Sequence, residues 1–457
     1  MQRNIMDPAA WAAKQFADCD LGDPRRTRRL EAVGAALAKQ AQGTLPGSFD
    51  TWAELIAAYR LVNNSAMTHP QVVAPHIQRT RKAMQAPGEY LIIEDTSSLS
   101  FTGKQVGARL GRIGNDGGQG LWLHTSLAVV VHAYDSMQDP QITLLGLFAQ
   151  QCWSRDWPAY NGRESRSQRL QRKRESQRWA APFETIDPLA PAVHWTYIAD
   201  RESDIYEPMV RCRRIGADFL IRANQPRALA GEDGSVFTKV AAAPPLGQFE
   251  LSLRSRPGQA ARTARLQVRA VPATVRAPYR PGDRPAPLAL YVVEAREIGP
   301  HTGEAIHWVL LTNRPIRRPR QAIRAIRTYA RRFLIEEYHK ALKSGVHVED
   351  SQLESLQGLQ ALLGILALAA VRLLEWKLLA TADPEAPAHL ERAVRAILQS
   401  KYGTPSQGWT VQRLVVTIAR LGGFPARNSD GMPGWQTLWR GWQRLMLMAA
   451  GYRMAHG

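Results

Sequence analysis

The order of apolar and polar residues along the chain predicts helices at both ends and a mixed sheet between them. Residues 8–85 are rich in Ala and Leu and contain few β-branched runs, which is typical of helices. Short apolar runs follow, and they predict strands at 90–93, 121–132, 142–148, 195–198 and 219–221. Residues 203–215 suit a helix between the last two strands. This order favours an α/β fold with a mixed sheet flanked by helices.

The pattern changes at about 235–315 and again near residue 321. The first segment alternates with period two and is interrupted by prolines, so we predict a β-rich insertion. The chain from 321 to its end has helical periodicity. Its uncharged run at 355–371 contains Gln and Gly and is shorter than the ~20 residues that a bilayer requires. We expect a buried core helix there and no membrane span. Near the end of the chain, three tryptophans are spaced by four and three residues, which would place them on one packed face of a helix: Trp435, Trp439 and Trp442.

Charge narrows the choice of partners. The chain has 457 residues, 59 Lys and Arg against 40 Asp and Glu, and a net charge of +19. Such a balance favours a polyanionic partner, either nucleic acid or an anionic membrane surface. The three cysteines are far apart and lack metal-ligand spacing, which excludes a disulfide scaffold and indicates a reducing compartment. The first residues have no apolar run typical of a secretory signal, so we expect a cytoplasmic protein.

Two aspartates share a setting at the ends of predicted strands. Asp95 and Asp200 each follow an apolar run, at the point where polar residues begin. Ligands gather at the carboxyl ends of strands in open α/β sheets, so the two acids are expected to meet at one edge. Neighbouring carboxylates repel each other unless a hard divalent cation with oxygen ligands neutralises them.

A third group lies in a predicted helix. Its members stand at offsets of 0, 3, 7, 11 and 14 residues, which return to one helical face: Tyr329, Arg332, Glu336, Lys340 and Lys343. One interpretation is a solvated helix with intrahelical pairs such as Glu336 with Lys340. The other is a functional face that combines a carboxylate with cations.

The spacing of Tyr329, Arg332, Glu336 and Lys343 resembles the Y-(2)-R-(3)-E-(6)-K signature of bacterial cut-and-paste transposases of the IS-four insertion-sequence family. Residues 94–100 and 200–205 resemble the two acidic motifs of that family. Residues 21–27 and 419–424 also match, so the resemblance covers nearly the whole chain.

The resemblance implies a ribonuclease-H-like catalytic core with a DDE triad of Asp95, Asp200 and Glu336. The triad would hold two Mg²⁺ ions, which Mn²⁺ could replace, for hydrolysis and transesterification at element ends through a DNA hairpin. Three neighbouring acids are the competing assignments: Glu94, Glu202 and Glu337.

The resemblance also implies DNA contacts beyond the triad. Tyr329, Arg332, Lys340 and Lys343 would hold phosphates near the scissile bond. Arg222 matches a phosphate-contacting position or is a surface residue at a strand end. Trp308 matches a position that stacks on a flipped base or is a core residue. A helical N-terminal group would recognise the element end: Arg25, Arg26, Arg28, Arg29 and, less directly, Arg60.

The division into domains follows the same resemblance. We predict an end-recognition domain at 1–70, a catalytic domain at 71–370 and a helical dimerisation domain at 371–457. The expected partners are DNA at terminal inverted repeats, target DNA and a second copy of the chain, assembled as a homodimer on two DNA ends. The basic stretch 155–178 is either a solvated loop or a DNA-binding segment. A metal nuclease on the same fold and a non-transposing DNA-binding regulator are the alternative functions.

Overall fold

The computed structural model describes residues 7–40, 44–114, 116–133, 139–155, 175–253, 261–279, 285–301, 303–388, 390–427 and 430–456. Within them the chain forms a mixed α/β structure whose strands are β1 (Gly88–Ser100), β2 (Arg112–Ile113), β3 (Gly118–Ala133), β4 (Gln141–Trp153), β5 (Val193–Ala199), β6 (Asp218–Arg222), β7 (Gly247–Leu253), β8 (Arg262–Val275), β9 (Leu288–Glu297) and β10 (His307–Thr312).

Helices precede and follow these strands. They are α1 (Pro8–Phe16), α2 (Pro24–Gln40), α3 (Trp52–Val62), α4 (His69–Ala83), α5 (Tyr206–Ile215), α6 (Val236–Ala242), α7 (Pro319–Ala330), α8 (Phe333–Lys340), α9 (Leu356–Ala382), α10 (Arg392–Tyr402), α11 (Val411–Leu421) and α12 (Trp435–His456). Side chains cap several of them: Thr68 and Gln71 form a capping box at α4, and Ser355 Oγ accepts from Gly358 N at the start of α9.

The strands join in one mixed sheet. Its order is β2-β3-β1-β5-β6-β10-β9-β8-β7, and β4 pairs with β3. Strand β1 runs parallel to β5, and β5 runs parallel to β6, whereas β3 is antiparallel to both β1 and β4. The predicted β-rich insertion is present, and its strands extend the central sheet through the antiparallel pair of β6 and β10.

Each face of the sheet is covered by its own apolar cluster. Alternation along β1 places Leu91 and Ile93 in a large cluster with helices α7, α8 and α9, whereas Ile92 faces a second cluster with α5. The large cluster also contains buried residues of the N-terminal helices and of α11 and α12. Helices from both ends of the chain therefore share one core.

Helix α9 confirms the buried helix predicted at 355–371, since most residues of that stretch are buried. Among the helices that the structure describes, none combines the length and apolar character needed to cross a membrane. The predicted domain limits at 70/71 and 370/371 both fall inside helices, α4 and α9. The domain division stays a prediction.

The tryptophan stripe of α12 packs inward, as its spacing predicted. Trp435, Trp439 and Trp442 are all buried, and Trp442 Nε1 donates to Ala38 O at 3.1 Å. The Arg372 guanidinium lies between three indole rings, with ring-centre distances of 5.3 Å to Trp11, 4.9 Å to Trp376 and 5.6 Å to Trp442. This stack connects α1, α9 and α12.

Two sequence expectations need correction. Strand β1 does not end before Asp95 but continues to Ser100, since its polar half still pairs with β3. The single helix expected across 329–343 is divided into α7 and α8, followed by a wider π-helical turn, Ala341–Gly345. Between α7 and α8 the backbone hydrogen bonds join residues three apart instead of four, as in a 3₁₀ turn: Arg332 N donates to Tyr329 O at 2.9 Å and Ile335 N donates to Arg332 O at 3.1 Å.

Candidate functional site

The two predicted aspartates lie side by side on neighbouring parallel strands. Glu94 of β1 is paired in register with Ala199 of β5, so the next residues along each chain are Asp95 and Asp200. Such strands are about 4.8 Å apart. Asp95 Oδ1 accepts from Thr96 N at 2.8 Å, and Asp200 Oδ1 accepts from Glu202 N at 2.8 Å as it caps the turn Arg201–Ser203. Both carboxylates are thereby oriented by their own backbone.

The third acid reaches this edge from helix α8. Arg332, at the N-cap of α8, contacts Asp95 Oδ2 through Nη1 at 3.3 Å and Glu336 Oε1 through Nη2. Asp95 and Glu336 are therefore held by the two arms of one guanidinium. The structure brings Asp95, Asp200 and Glu336 to a common place, with Arg332 among them.

The electrostatics of the site reflect this crowding. Burial raises the pKa of Asp95 to about 7, the charges of Asp200 and Glu202 add to the rise, and Arg332 opposes it. The pKa of Glu202 is raised by burial and then by Asp200. Burial acts to lower the pKa of Arg332, but the charges of Tyr329, Glu336 and Asp95 outweigh it and raise that pKa. The partly buried guanidinium of Arg332 thus compensates part of the negative charge of this cluster.

The donor set suits a hard divalent cation in its chemistry. Carboxylate oxygens are the ligands that Mg²⁺ and Mn²⁺ prefer. A bound cation would favour the ionised form of Asp95, whose pKa is raised by burial and further by the charges of Asp200 and Glu202. As the side chains stand in the described part of the chain, no group of three or more His, Cys, Asp or Glu is arranged to hold a metal ion. Arg332 occupies the position between Asp95 and Glu336. Metal binding by these acids therefore requires Arg332 to move.

Aromatic and basic groups line the same edge of the sheet. Tyr329 is buried at the end of α7, and its ring meets Trp308 edge to face at 5.1 Å. Arg222 ends β6 and donates from Nη2 to His307 O at 3.0 Å. Burial lowers the pKa of Arg222, and Tyr329 partly offsets this effect. Trp308 is only partly buried, so its ring is neither enclosed in the core nor fully exposed for stacking on a base.

The two lysines that follow Glu336 have different surroundings. Lys340 is exposed and its Nζ lies 3.3 Å from Oε1 of Glu337, and Lys343 sits in the π-helical turn. Glu337 itself faces the C-terminal helices, where Oε2 accepts from Lys377 at 2.8 Å and from Trp435 Nε1 at 3.2 Å. The pair of Glu336 with Lys340, which the solvated-helix interpretation offered, does not form, because Arg332 holds Glu336 and Lys340 pairs with Glu337 instead.

Of the competing acids, Glu94 and Glu337 point away from the triad, whereas Glu202 stays beside Asp200. Glu94 is fully buried on the opposite face of β1 from Asp95, beside Ser126 and His124. Sequence reasoning missed His124, Tyr197 and Ser203, which share that buried region. The only available signal was the alternation of polar residues with apolar ones along each strand.

The N-terminal arginines differ in their local partners. Arg25 binds Asp23 with two arms, the shorter contact being 2.8 Å, and Arg26 Nη1 donates to Leu21 O at 2.8 Å. Arg28, Arg29 and Arg60 are exposed on α2 and α3. Arg26 therefore has a structural contact, whereas Arg28 and Arg29 extend into solvent at the start of α2.

The basic stretch 155–178 falls largely on residues 156–174, which lie outside the described residues. At its two ends, Arg155 Nη2 pairs with Glu175 Oε2 at 2.7 Å and Arg178 stacks over Trp153 at 3.6 Å. The choice between a solvated loop and a DNA-binding segment stays open.

A comparison with known families decides the class of partner. Residues 8–67 match the family model named Transposase DNA-binding. The match covers α1, α2 and α3, and it includes Arg25, Arg26, Arg28, Arg29 and Arg60. It indicates a transposase, a DNA-processing enzyme, and supports DNA as a partner of the chain.

Proposed function

We propose that this chain is a metal-dependent DDE transposase of the IS-four family, similar to the Tn-five transposase, that excises and integrates its element by cut-and-paste. The observation that carries the proposal is the convergence of Asp95, Asp200 and Glu336 around Arg332, in a chain with a transposase DNA-binding match. Separate strands and a helix far apart in sequence contribute these acids. Such an assembly of carboxylates suits phosphoryl transfer.

The sheet supports a ribonuclease-H-like core. Strands β4, β3 and β1 are consecutive antiparallel neighbours, and β5 and β6 continue the sheet parallel to β1. Asp95 stands on β1, Asp200 directly follows the neighbouring strand β5, and Glu336 comes from a helix packed on this sheet. This is the arrangement that the family resemblance implies.

Asp95, Asp200 and Glu336 would hold two Mg²⁺ ions, which Mn²⁺ could replace. When bound, the ions activate the attacking oxygen and stabilise the leaving one. Arg332 would then release the carboxylates and turn to a DNA phosphate, a contact for which a guanidinium is well suited. Arg222 borders the same edge and would position the strand. Trp308, supported by the buried ring of Tyr329, would stack on an unpaired base exposed in a hairpin intermediate.

Two further parts of the proposal concern assembly. Helices α1 to α3 would bind the terminal inverted repeat through Arg28, Arg29 and Arg60, with Arg25 and Arg26 beside them. Two copies would then pair across two DNA ends, and target DNA would enter the same active sites for strand transfer. Lys340 and Lys343 lie one and two turns beyond Glu336 and would contact the flanking phosphates.

The decisive experiment incubates the protein with DNA that carries both ends of its own element, in Mg²⁺, Mn²⁺ or Ca²⁺. We expect excised fragments and hairpin ends with Mg²⁺ or Mn²⁺, and strand-transfer products when a target plasmid is present. Glu336→Gln should abolish cleavage, a loss of at least about a thousandfold, and keep DNA binding, because the triad loses a charged ligand and the DNA-binding region is unchanged.

Glu337→Gln is the matched control. It makes the same chemical change one residue away, but Glu337 faces Lys377 and Trp435 rather than the triad. It should keep the cleavage rate within a few-fold. Equal cleavage by the wild type and Glu336→Gln would refute the triad.

The alternative functions give different products in the same assay. Cleavage without any joined product would favour a metal nuclease on this fold. Binding without cleavage in every metal would favour a DNA-binding regulator. The complete set of three converging acids supports the transposase over the regulator.

A further inference from the structure

A buried polar network lies behind Asp95, on the opposite face of β1. Because side chains alternate along a strand, Glu94 and Thr96 point away from the face that Asp95 occupies. Ser126 Oγ donates to Glu94 Oε1 at 2.5 Å, and Thr96 Oγ1 lies 2.8 Å from His124 Nδ1. Both chain neighbours of Asp95 are thus bonded to strand β3.

A second contact holds the turn that carries Asp200. The Tyr197 hydroxyl lies 2.7 Å from Ser203 Oγ, and both residues are fully buried. Ser203 closes the turn Arg201–Ser203, which begins directly after Asp200. The bond ties this turn back to β5, so it restricts where the Asp200 backbone can lie.

The two contacts belong to one network. Tyr197 of β5 is paired with Ile92 of β1, and Glu94 follows two residues later on the same face of β1, so Tyr197 and Glu94 are neighbours across the two strands. Burial raises the pKa of Tyr197 well above its usual range, and the negative charge of Glu94 adds to the rise. His124 Nε2 is 3.1 Å from Glu94 Oε1, although without the angle of a hydrogen bond. The strands that carry Asp95 and Asp200 are therefore connected by polar side chains beneath the site.

This network is costly to bury. Glu94 is entirely inaccessible to solvent, and its Oε2 has no hydrogen-bond partner among the described residues. Apolar side chains of similar volume would fill such a place at lower cost. The polar groups instead fix the orientation of their neighbours, since hydrogen bonds around metal-ligating residues orient those residues.

We propose that Glu94, His124, Tyr197 and Ser203 are positioning residues that hold Asp95 and Asp200 at the separation a shared divalent cation requires. This inference rests on the proposed function, because it assigns these residues to the same acids. If these residues only stabilised the fold, their substitution would lower the thermal midpoint and leave cation affinity unchanged. If they position Asp95 and Asp200, their substitution also weakens cation binding.

The test measures Mn²⁺ binding to the DNA-free protein by isothermal titration calorimetry or by the loss of the electron paramagnetic resonance signal of free Mn²⁺. Tyr197→Phe removes one hydroxyl and leaves the ring in place. We expect it to weaken Mn²⁺ binding by about tenfold, as is usual when groups that orient metal ligands are removed. Ser203→Ala, a smaller change at the other end of the same bond, should weaken binding in the same direction.

Tyr90→Phe is the matched control. Tyr90 lies on β1 and on the same face as Glu94, is 4% exposed, and donates to the carbonyls of Ala83 and Ala86 at 3.3 and 3.0 Å. The substitution deletes a part-buried, hydrogen-bonded tyrosine hydroxyl at the far end of the strand. It should lower the thermal midpoint and leave Mn²⁺ affinity unchanged.

Asp95→Asn separates the two levels of the proposal. If Asp95→Asn loses Mn²⁺ binding while Tyr197→Phe and Ser203→Ala bind as the wild type does, the positioning role is refuted and the proposed active site stands. If Asp95→Asn binds Mn²⁺ as tightly as the wild type, the acids do not hold the cation and both proposals are refuted. Should Tyr197→Phe not fold, Ser203→Ala decides the outcome.

Discussion

At the scale of single residues, Arg332 determines how the candidate site is organised. Its two arms reach Asp95 and Glu336, and Tyr329 and Asp200 also raise its pKa. The guanidinium neutralises these carboxylates as they stand, and a metal cation bound by the same carboxylates would replace it. The same group that neutralises the acids in this arrangement is chemically suited to bind a phosphate when a metal replaces it.

The raised pKa of Asp95 predicts how cation binding depends on pH. Its pKa in the folded chain is about 7, above the ordinary value of 3.8, so Asp95 becomes fully ionised only above pH 7. Because the carboxyl group ionises more readily in the unfolded chain, its ionisation lowers the free energy of unfolding as the pH rises. A cation must displace the proton below that pH. We expect Mn²⁺ affinity to be about tenfold lower at pH 6 than at pH 8.

Titrations at the two pH values check this expectation. They should use the DNA-free protein at constant ionic strength, because salt screens charges at the edge of the site. The comparison variant is Glu337→Gln, which should keep the pH dependence since Glu337 lies outside the triad. Equal affinity at pH 6 and pH 8 in the wild type would contradict the assigned pKa.

At the scale of elements, close backbone contacts decide how the C-terminal helices meet. Gly441 of α12 approaches α11 so closely that a Cβ atom there would lie 1.7 Å from Ile418 O. Gly422, just after α11, would place a Cβ atom 1.9 Å from Thr437 O. Both contacts involve backbone atoms, which cannot rotate out of the way as a side chain can.

Gly441→Ala is therefore expected to push α11 and α12 apart and to lower the free energy of unfolding by about 2 kcal/mol or more. Gly451→Ala provides the control, because it lies in the same helix and its Cβ atom would meet nothing within 4 Å. That change should stabilise the helix by up to about 1 kcal/mol. Thermal and denaturant unfolding measure both variants, and equal midpoints would contradict the close crossing.

At the scale of the whole molecule, the DNA-binding match is part of one continuous core. The segment 8–67 shares its apolar cluster with the sheet and with the C-terminal helices, and Arg372 links Trp11 to Trp376 and Trp442. The region matched by the DNA-binding family model therefore packs in the same core as the helices at the other end of the chain. The chain also has a net charge of +19, which favours association with a polyanion such as DNA.

This charge predicts a strong dependence of DNA binding on salt. Arg28 and Arg29 are exposed in the matched segment, so each of Arg28→Ala and Arg29→Ala should reduce the slope of log affinity against log salt by about 1. Arg213→Ala changes the net charge equally, but Arg213 is exposed on α5 just before β6, at the sheet edge opposite to Asp95. It should leave the slope unchanged. Binding assays at several salt concentrations measure these slopes, and an equal effect of all three variants would show that only total charge matters.

Local patterns were sufficient to predict most of the helices and strands. The strands near 90–93, 121–132, 142–148, 195–198 and 219–221 are confirmed, as are the β-rich insertion, the buried run of α9 and the inward face of α12. Periodicity encodes these features because a helix or strand with one apolar face must bury it. The family match at 8–67 confirms the expectation of a DNA partner.

Tertiary structure alone decided which distant groups meet. That Arg332 lies between Asp95 and Glu336, that Lys340 turns to Glu337, and that the strands of the insertion extend the central sheet all depend on contacts between residues far apart in the chain. The burial of Glu94 behind Asp95 is of the same kind. A sequence specifies each element through its neighbours in the chain, whereas charges and hydrogen bonds act on whatever the folded chain brings within a few ångströms.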